Sequence, residues 1–265
     1  MASFESLSSL KGKRSLITGA AGKLGTVFAD TLAELGSDLI LIDRPGTNLQ
    51  EIKETVSKRW GISSEIYECD LEVESDRNVL IKTLESQELN VLVNNAAFVG
   101  ISELPGWAVK FSDQSLDTWR RAIEVNLTAA FHLTQGFYPS MHRSSGASII
   151  NISSMYGSFG PDYSLYEDTN MGNPAAYAAS KGGLVQLTRW LSTTLAPNIR
   201  VNAISPGGIA RNQPANFVSR YEEKTPLRRM ANEDDFRGPL AFLASDLSKY
   251  MTGQILHVDG GWGIW

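Results

Sequence analysis

The sequence predicts an α/β fold in which helices cover both faces of a doubly wound, seven-stranded, mainly parallel sheet. Short apolar runs alternate with longer stretches of helical periodicity along the chain. The apolar runs are continuous rather than alternating, which is typical of strands buried on both faces. Strand–helix repetition with short connections then indicates right-handed βαβ units. No linker or repeat interrupts this pattern, so we predict one domain over residues 1–265.

The individual elements follow from these runs in chain order. Strands are expected at 15–18, 39–42, 66–67 with neighbouring residues, 91–93, 148–152, 199–204 and 255–258. Helices are expected at 24–35, 49–60, around 79–84, and at 116–138, 175–195 and 236–243. Two less regular segments, 98–115 and 157–173, follow predicted strand ends. Open α/β sheets bind ligands at those ends, so both segments are expected to border a site.

Composition narrows the class of protein. A net charge of −5 and a pI of about 5.3 argue against nucleic acid or an anionic membrane as the main partner. Cys69 is the single cysteine, which excludes an internal disulfide and favours a reducing, cytoplasmic setting. We expect no signal peptide and no membrane span, because no apolar run reaches the roughly 20 residues that a span needs. The three histidines have no metal-ligand spacing, so no catalytic metal is expected.

A glycine-rich turn at 18–25 joins the first strand to the first helix. Glycine lets the backbone turn sharply and approach a pyrophosphate, which the helix N-terminus stabilises. The turn therefore predicts dinucleotide binding by Gly19, Gly22, Lys23, Leu24 and Gly25. The alternatives are an ordinary tight turn and a mononucleotide P-loop. The P-loop fails because Lys23 is followed by leucine rather than serine or threonine.

Asp43 ends the second predicted strand, 18 residues after Gly25. A carboxylate there accepts hydrogen bonds from the adenosine ribose hydroxyls and repels a 2′-phosphate, so NAD is favoured over NADP. Arg44 and Lys23 act against this preference, because either can pair with a 2′-phosphate. The alternative is an ordinary turn aspartate at a strand end.

Five further motifs make the pattern specific. Together with the glycine-rich turn, Tyr177-Ala-Ala-Ser-Lys181 occurs in order with Asn94-Asn95-Ala96-Ala97, Asn126, Ser153-Ser154 and Pro206-Gly207. In this order and spacing the chain resembles the short-chain dehydrogenase/reductase family from residue 12 to residue 261. The resemblance implies a Rossmann-like fold. A looser similarity points to short-chain enzymes of bacterial surface-carbohydrate pathways.

The resemblance implies roles for individual residues. Tyr177 would be the general acid/base, Lys181 would bind the nicotinamide ribose and lower the Tyr177 pKa, and Ser154 would hold the substrate oxygen. Asn126 would anchor a water in a proton relay. The cofactor would contact the cleft residues Asn95 and Ala96, the side chain of Asp70 and its neighbour Leu71, and the backbone of Ile209.

Elementary chemistry supports the tyrosine–lysine pair. A free tyrosine titrates near pH 10, and a nearby cation favours its phenolate. Residues four apart on a helix share one face, so the side chains of Lys181 and Tyr177 are expected to lie close together. Asn173-Pro174 is expected to cap this helix, which places Tyr177 near the positive end of the helix dipole. The alternative is an amphipathic helix with both residues on its surface.

The chain departs from the family pattern in three places. Lys23 replaces a glycine of the family pattern. The remaining spacing, Gly19, Gly22 and Gly25, is closer to that of the family's extended branch. Ser154 and Tyr177 lie 23 residues apart, about ten more than usual, so 157–173 is expected to be an inserted loop over the active site. In it, Glu167 or Asp168 is expected to bind a hydroxyl-rich or amine-bearing substrate; a solvent-facing loop is the alternative. Arg211 replaces a threonine of the family pattern. It lies at the start of the segment 211–230, which is expected to be a mobile lid. Arginine there is expected to bind a phosphate or carboxylate; an ordinary surface arginine is the alternative.

These observations favour an NAD-dependent dehydrogenase/reductase that interconverts a secondary alcohol and a ketone on a sugar, sugar phosphate or amino sugar. The alternatives are a 3-oxoacyl or polyol reductase and, in another class, a non-catalytic redox sensor that binds dinucleotide. The aromatic C-terminus, 261–265, predicts a homotetramer or homodimer, unless this tail covers its own core.

Overall fold

The computed structural model describes residues 1–99 and 104–265, and a seven-stranded sheet forms its centre. The strands are β1 (Arg14–Thr18), β2 (Asp38–Asp43), β3 (Ser64–Glu68), β4 (Val91–Asn94), β5 (Ala147–Ile152), β6 (Ile199–Pro206) and β7 (Ile255–Val258). They lie in the order β3-β2-β1-β4-β5-β6-β7, and every neighbouring pair is parallel. The predicted doubly wound fold is confirmed, with a sheet that is wholly rather than mainly parallel.

Helices pack on both faces of this sheet. They are α1 (Phe4–Ser8), α2 (Lys23–Glu34), α3 (Leu49–Trp60), α4 (Glu74–Leu84), α5 (Leu116–Ile123), α6 (Ala129–Arg143), α7 (Ala175–Thr194), α8 (Ala215–Lys224) and α9 (Arg237–Ala244). The sequence predicted one regular helix at 116–138. The structure instead has a π-helical turn, Glu124–Thr128, between α5 and α6.

The two faces of the sheet hold separate cores. Leu16 and Ile17 point to opposite sides because successive strand side chains alternate. Ile17 packs with α2, α3 and α9, whereas Leu16 packs with α4, α6 and α7. Both residues are fully buried, which explains why the strands are apolar without alternation.

The chain reverses its direction of winding between β1 and β4. From β1 it continues to β2 and β3 on one side, then crosses to β4 on the other side of β1. The loops after β1 and β4 therefore diverge and leave a crevice at the carboxyl edge of the sheet, where folds of this type bind ligands. In the described part of the chain, no helix combines the length and apolarity that crossing a membrane requires.

Candidate active site

A cleft of about 1170 Å³ occupies this crevice. Residues from the ends of β1, β2, β4, β5 and β6 and from α7 meet around it. The predicted site residues that line it are Gly19, Gly22, Lys23, Leu24, Gly25, Asp43, Asp70, Leu71, Asn95, Ala96, Ser154, Tyr177, Lys181, Ile209 and Arg211. Three predicted residues lie outside its lining: Asn126, Glu167 and Asp168.

The glycine-rich turn packs too closely to hold side chains at two positions. Gly19 has a φ of 65°, and a Cβ there would lie 2.8 Å from the Cα of Ala96. A Cβ on Gly25 would overlap the carbonyl oxygen of Gly19. Helix α2 begins directly after Gly22, which supplies no side-chain cap, so its first amide groups are free to bind an anion. The turn therefore fits a dinucleotide pyrophosphate.

Asp43 lies where β2 meets this turn. One of its carboxylate oxygens accepts a hydrogen bond from the backbone N–H of Ala21 at 2.8 Å, and the other accepts from the N–H of Arg44 at 2.8 Å. These two bonds fix the carboxylate at the cleft wall. Asp70 is held similarly, because its Oδ1 accepts from the N–H of Glu72 at 3.0 Å. Arg44 also lines the cleft beside Asp43.

Asn95 supports the turn through its side chain. Its Nδ2 donates to the carbonyls of Thr18 and Gly19, at 2.8 and 3.0 Å. The Thr18 hydroxyl in turn accepts from the backbone N–H groups of Asn95 and Ala96, both at 3.0 Å. The ends of β1 and β4 are thus tied together, which holds the pyrophosphate turn in place.

Tyr177, Ser154 and Lys181 converge at the middle of the cleft. Burial raises the pKa of Tyr177, while its hydrogen bond with Ser154 lowers that pKa. Lys181 is 2% exposed, and burial lowers its pKa to about 8. Its Nζ donates to the carbonyl of Ile152 at 2.7 Å and lies 5.9 Å from the centroid of the Tyr177 ring. Burial therefore dominates the Tyr177 pKa here, and the expected lowering by Lys181 stays a prediction.

The prediction that Asn173 caps helix α7 is wrong. Helix α7 begins at Ala175, and Pro174 occupies its cap position without a side-chain bond. The side chain of Gln114 caps the helix from another segment, since its Oε1 accepts from the N–H of Ala175 at 3.0 Å. The amide of Asn173 is buried at the cleft wall, and neither its nitrogen nor its oxygen has a partner among residues 1–99 and 104–265.

Asn126 lies behind the cleft, in the π-helical turn. Its Oδ1 accepts from the N–H of Phe98 at 2.6 Å, and its Nδ2 donates to the Ser180 hydroxyl at 2.9 Å. It thereby joins the segment after β4 to helix α7. The π turn shifts the helical register at this residue, a distortion common at functional sites. Its water-anchoring role stays a prediction.

The inserted segment 157–173 is docked on helix α8. Asp162 forms an ion pair with Lys224 at 2.6 Å, and the carbonyl of Glu167 accepts from the Arg220 side chain at 2.5 Å. The carboxylate of Asp168 is largely exposed and lies 3.8 Å from Arg220. Glu167 and Asp168 therefore contact helix α8, and neither lines the main cleft. Asp168 does line a smaller depression that shares Met171, Arg211 and Gln213 with the cleft, so the expected contact with substrate stays a prediction.

Several cleft residues were missed by sequence reasoning. Aromatic and apolar side chains form the wall near Tyr177: Phe98, Leu104, Trp107, Tyr156 and Met171. Most of them come from the two irregular segments that were expected to border the site. The segments were recognisable from their position after strands, but no periodic pattern indicates which of their side chains turn inward.

Arg211 lines the cleft and forms an ion pair with Glu233. Ile209 lies nearby, in an isolated parallel bridge with Ala231 that fixes the chain after β6. The predicted lid segment thus starts from an anchored position. Its mobility stays a prediction.

Comparison with known proteins agrees with this geometry. A family model described as enoyl-(acyl carrier protein) reductase matches residues 19–263. The 3-oxoacyl-(acyl-carrier-protein) reductase FabG of Aquifex aeolicus is 32% identical over 259 residues, which cover 95% of this chain and 98% of that one. NAD⁺-bound xylitol dehydrogenase has a TM-score of 0.83 at 29% identity, covering 95% of this chain and 99% of the other. A gluconate 5-dehydrogenase from Burkholderia cenocepacia, in complex with NADP and tartrate, has a TM-score of 0.83 at 26% identity, covering 98% and 99%.

The family model covers nearly the whole chain, and the glycine-rich turn, Ser154, Tyr177 and Lys181 meet in one cleft. The chain therefore belongs to the short-chain dehydrogenase/reductase family, oxidoreductases that act on CH–OH or keto groups.

Proposed function

We propose that this protein is an NAD(H)-dependent oxidoreductase that interconverts a secondary alcohol and a ketone on a polar substrate, of the sugar, sugar-phosphate or amino-sugar type. The placement of Ser154, Tyr177 and Lys181 in the same cleft as the pyrophosphate turn carries the proposal. A bound nicotinamide would supply or accept the hydride. The protein has to orient the reacting carbon and manage one proton.

Each of the three side chains has a distinct task in that step. Tyr177 donates a proton to the substrate oxygen during reduction and removes it during oxidation. Ser154, which lines the cleft with Tyr177, holds the same oxygen. Lys181 binds the nicotinamide ribose, and its positive charge favours the phenolate of Tyr177. The low exposure of Lys181 excludes water from around this charge, which strengthens its electrostatic effect.

Asp43 supports the preference for NAD. Its carboxylate is fixed at the end of β2, where it repels a 2′-phosphate. Arg44 and Lys23 line the same part of the cleft and oppose this preference. Replacing Asp43 by alanine should lower kcat/KM for NAD about tenfold and raise that for NADP, since a charge-assisted contact is lost and a repulsion is removed. An NAD/NADP ratio that is unchanged in Asp43→Ala would refute the assignment.

A substrate panel tests the reaction itself. NAD reduction at 340 nm is measured with xylitol, galactose, gluconate and galactose 1-phosphate, and NADH oxidation with an acetoacetyl thioester. Turnover of a hydroxylated compound, lost in Tyr177→Phe, is the expected result. Tight NADH binding without turnover of any compound would instead favour a redox sensor.

A 3-oxoacyl reductase is the second candidate. The apolar and aromatic wall formed by Phe98, Leu104, Trp107 and Met171 suits an acyl chain, and the FabG of Aquifex aeolicus is 32% identical to this chain. Preferential turnover of the acetoacetyl thioester would favour this candidate. Preference for xylitol would favour a polyol reductase.

We further propose that the chain forms a homodimer or homotetramer. Trp119, Phe131 and Trp190 are exposed on α5, α6 and α7, and such apolar side chains suit a subunit interface. In the C-terminal tail, Trp262 is buried within the chain's own core, whereas Trp265 is exposed. Light scattering that gives a monomer at micromolar concentration would refute the assembly.

A further inference from the structure

Two tyrosine hydroxyls meet beside the catalytic tyrosine. Tyr156 lines the cleft, and its backbone N–H donates to the Ser154 hydroxyl at 3.2 Å. Tyr166 belongs to the inserted segment, in a short turn that packs on α8. The hydroxyls of Tyr156 and Tyr166 lie 2.5 Å apart and are hydrogen-bonded. Tyr166 does not itself line the cleft, so its hydroxyl is connected to the active-site wall through Tyr156.

The pair has one hydrogen-bond donor to spare. Two phenols carry two protons, and a single bond between them uses one. Within residues 1–99 and 104–265, neither hydroxyl has another hydrogen-bond partner. Burial raises the pKa of both phenols, so both are neutral at physiological pH and the second proton is retained. A donor of this kind is best satisfied by an acceptor on a bound molecule.

The charged and polar residues that line the cleft indicate the charge of that acceptor. Arg211 and Arg121 line the cleft, but each forms an ion pair, with Glu233 and Glu72 respectively. Their charges are already compensated, which disfavours capture of a phosphate. The unpartnered, buried amide of Asn173 lies in the same wall and offers both a donor and an acceptor. Beside the apolar wall, the polar side chains without a compensating partner are therefore neutral.

We propose that the Tyr156–Tyr166 pair is a specificity site that donates a hydrogen bond to an uncharged oxygen of the substrate, beyond the reacting carbon. The substrate class is then a neutral, polyhydroxylated alcohol or ketone, rather than a sugar phosphate or an amino sugar. This inference rests on the proposed oxidoreductase function and narrows its substrate. It also explains why the chain keeps a long segment between Ser154 and Tyr177.

The test compares Tyr166→Phe with Tyr163→Phe. Tyr163 lies in the same turn and packs against Tyr166, but its ring is 65% exposed, so it is a matched control. Each variant is assayed with xylitol, which has additional hydroxyls, and with cyclohexanol, which has none beyond the reacting one. We expect Tyr166→Phe to lower kcat/KM for xylitol about tenfold to a hundredfold, mainly through KM, and to leave cyclohexanol within about twofold. Tyr163→Phe should change neither.

If Tyr166→Phe lowers kcat/KM equally for xylitol and cyclohexanol, the role of Tyr166 is purely structural and the inference is overturned. An unchanged kcat/KM for xylitol would also overturn it. Tyr156→Phe removes the other hydroxyl and should give the same selectivity change if Tyr166→Phe folds poorly. Calorimetric titration of the enzyme–NADH complex with xylitol separates this inference from the proposed function. If the unaltered protein turns over none of the tested compounds but binds xylitol, and Tyr166→Phe weakens that binding, the oxidoreductase function is refuted and the specificity site is retained. Absence of xylitol binding to the unaltered protein would overturn the specificity site.

Discussion

The two halves of the cleft are built differently. The cofactor half is made of strand ends and a turn. Backbone bonds such as that from the Ala20 N–H to the Ile42 carbonyl join them, and the side chains of Thr18, Asn95 and Asp43 bond to neighbouring backbone groups. The substrate half is covered by the segments 104–115 and 157–173, called the roof below. Side-chain contacts with helices α7 and α8 hold these segments in place. Gln114 caps α7, and Lys224 and Arg220 fasten the insertion to α8.

This difference separates what the fold requires from what the substrate requires. Backbone contacts such as the Ala20–Ile42 bond can persist through many side-chain replacements, and the side chains that add to them support the turn on which the cofactor rests whatever the substrate. Side-chain contacts in the roof change with single substitutions, and loops of this kind carry specificity. Variants in the first half should therefore affect all substrates, and variants in the second half should affect selected ones.

The largest effect is expected for Tyr177→Phe, at the boundary between the two halves. Loss of the acid/base group should lower kcat by about 10²–10⁴-fold, because phenylalanine can neither donate nor accept the proton. NADH affinity, measured by fluorescence titration, should stay within about threefold, since the pyrophosphate turn is untouched. Loss of NADH binding would instead mean that Tyr177 supports the cofactor half. Retained kcat would remove Tyr177 from the chemistry.

Gly25→Ala tests the rigidity of the cofactor half. The added methyl group would overlap the Gly19 carbonyl, so the turn must shift. We expect a loss of roughly 1–3 kcal/mol in the free energy of unfolding and a rise of more than about tenfold in the Kd for NADH. Gly238→Ala is the control, because a Cβ there meets no atom within 4 Å. Equal NADH affinities in the two variants would contradict the close packing.

The same division describes what the sequence could predict. Continuous apolar strands and the turn at 18–25 predicted the sheet and the cofactor half, because backbone geometry restricts which residues fit there. The substrate half depends on tertiary partners. Asn173 was expected to cap α7, but Gln114 does so, and Glu167 and Asp168 were expected in the cleft, where Tyr156 lies instead. No local periodicity encodes such contacts between distant segments. The π turn around Asn126 likewise has no sequence signal that we recognised.

The pH dependence of the reaction tests the Ser154–Tyr177 contact. Burial raises the Tyr177 pKa and the Ser154 hydrogen bond lowers it. Reduction needs the protonated phenol, so its rate should fall as the pH rises through this pKa, and oxidation should rise there. Ser154→Ala removes the contact that lowers the pKa, so the inflection in log(kcat/KM) should move to higher pH. Ser158→Ala, an exposed serine nearby, should leave the inflection in place. A downward shift in Ser154→Ala would contradict the assigned hydrogen bond.

The smallest effect is expected in the roof, for Asp162→Asn. The Asp162–Lys224 pair joins the insertion to α8, and both side chains are about one-third exposed. Such pairs contribute about 0.2–1 kcal/mol, so KM for the substrate should rise less than about fivefold, while the NADH Kd stays constant. Glu223→Gln removes the same charge from the exposed side of α8 and is the control. Because Lys224 lowers the pKa of Asp162, the stabilisation is fully present above the ordinary value of 3.8 and is lost as the pH falls through the lowered pKa. A change in NADH affinity in Asp162→Asn would mean that the two halves of the cleft are energetically coupled and not independent.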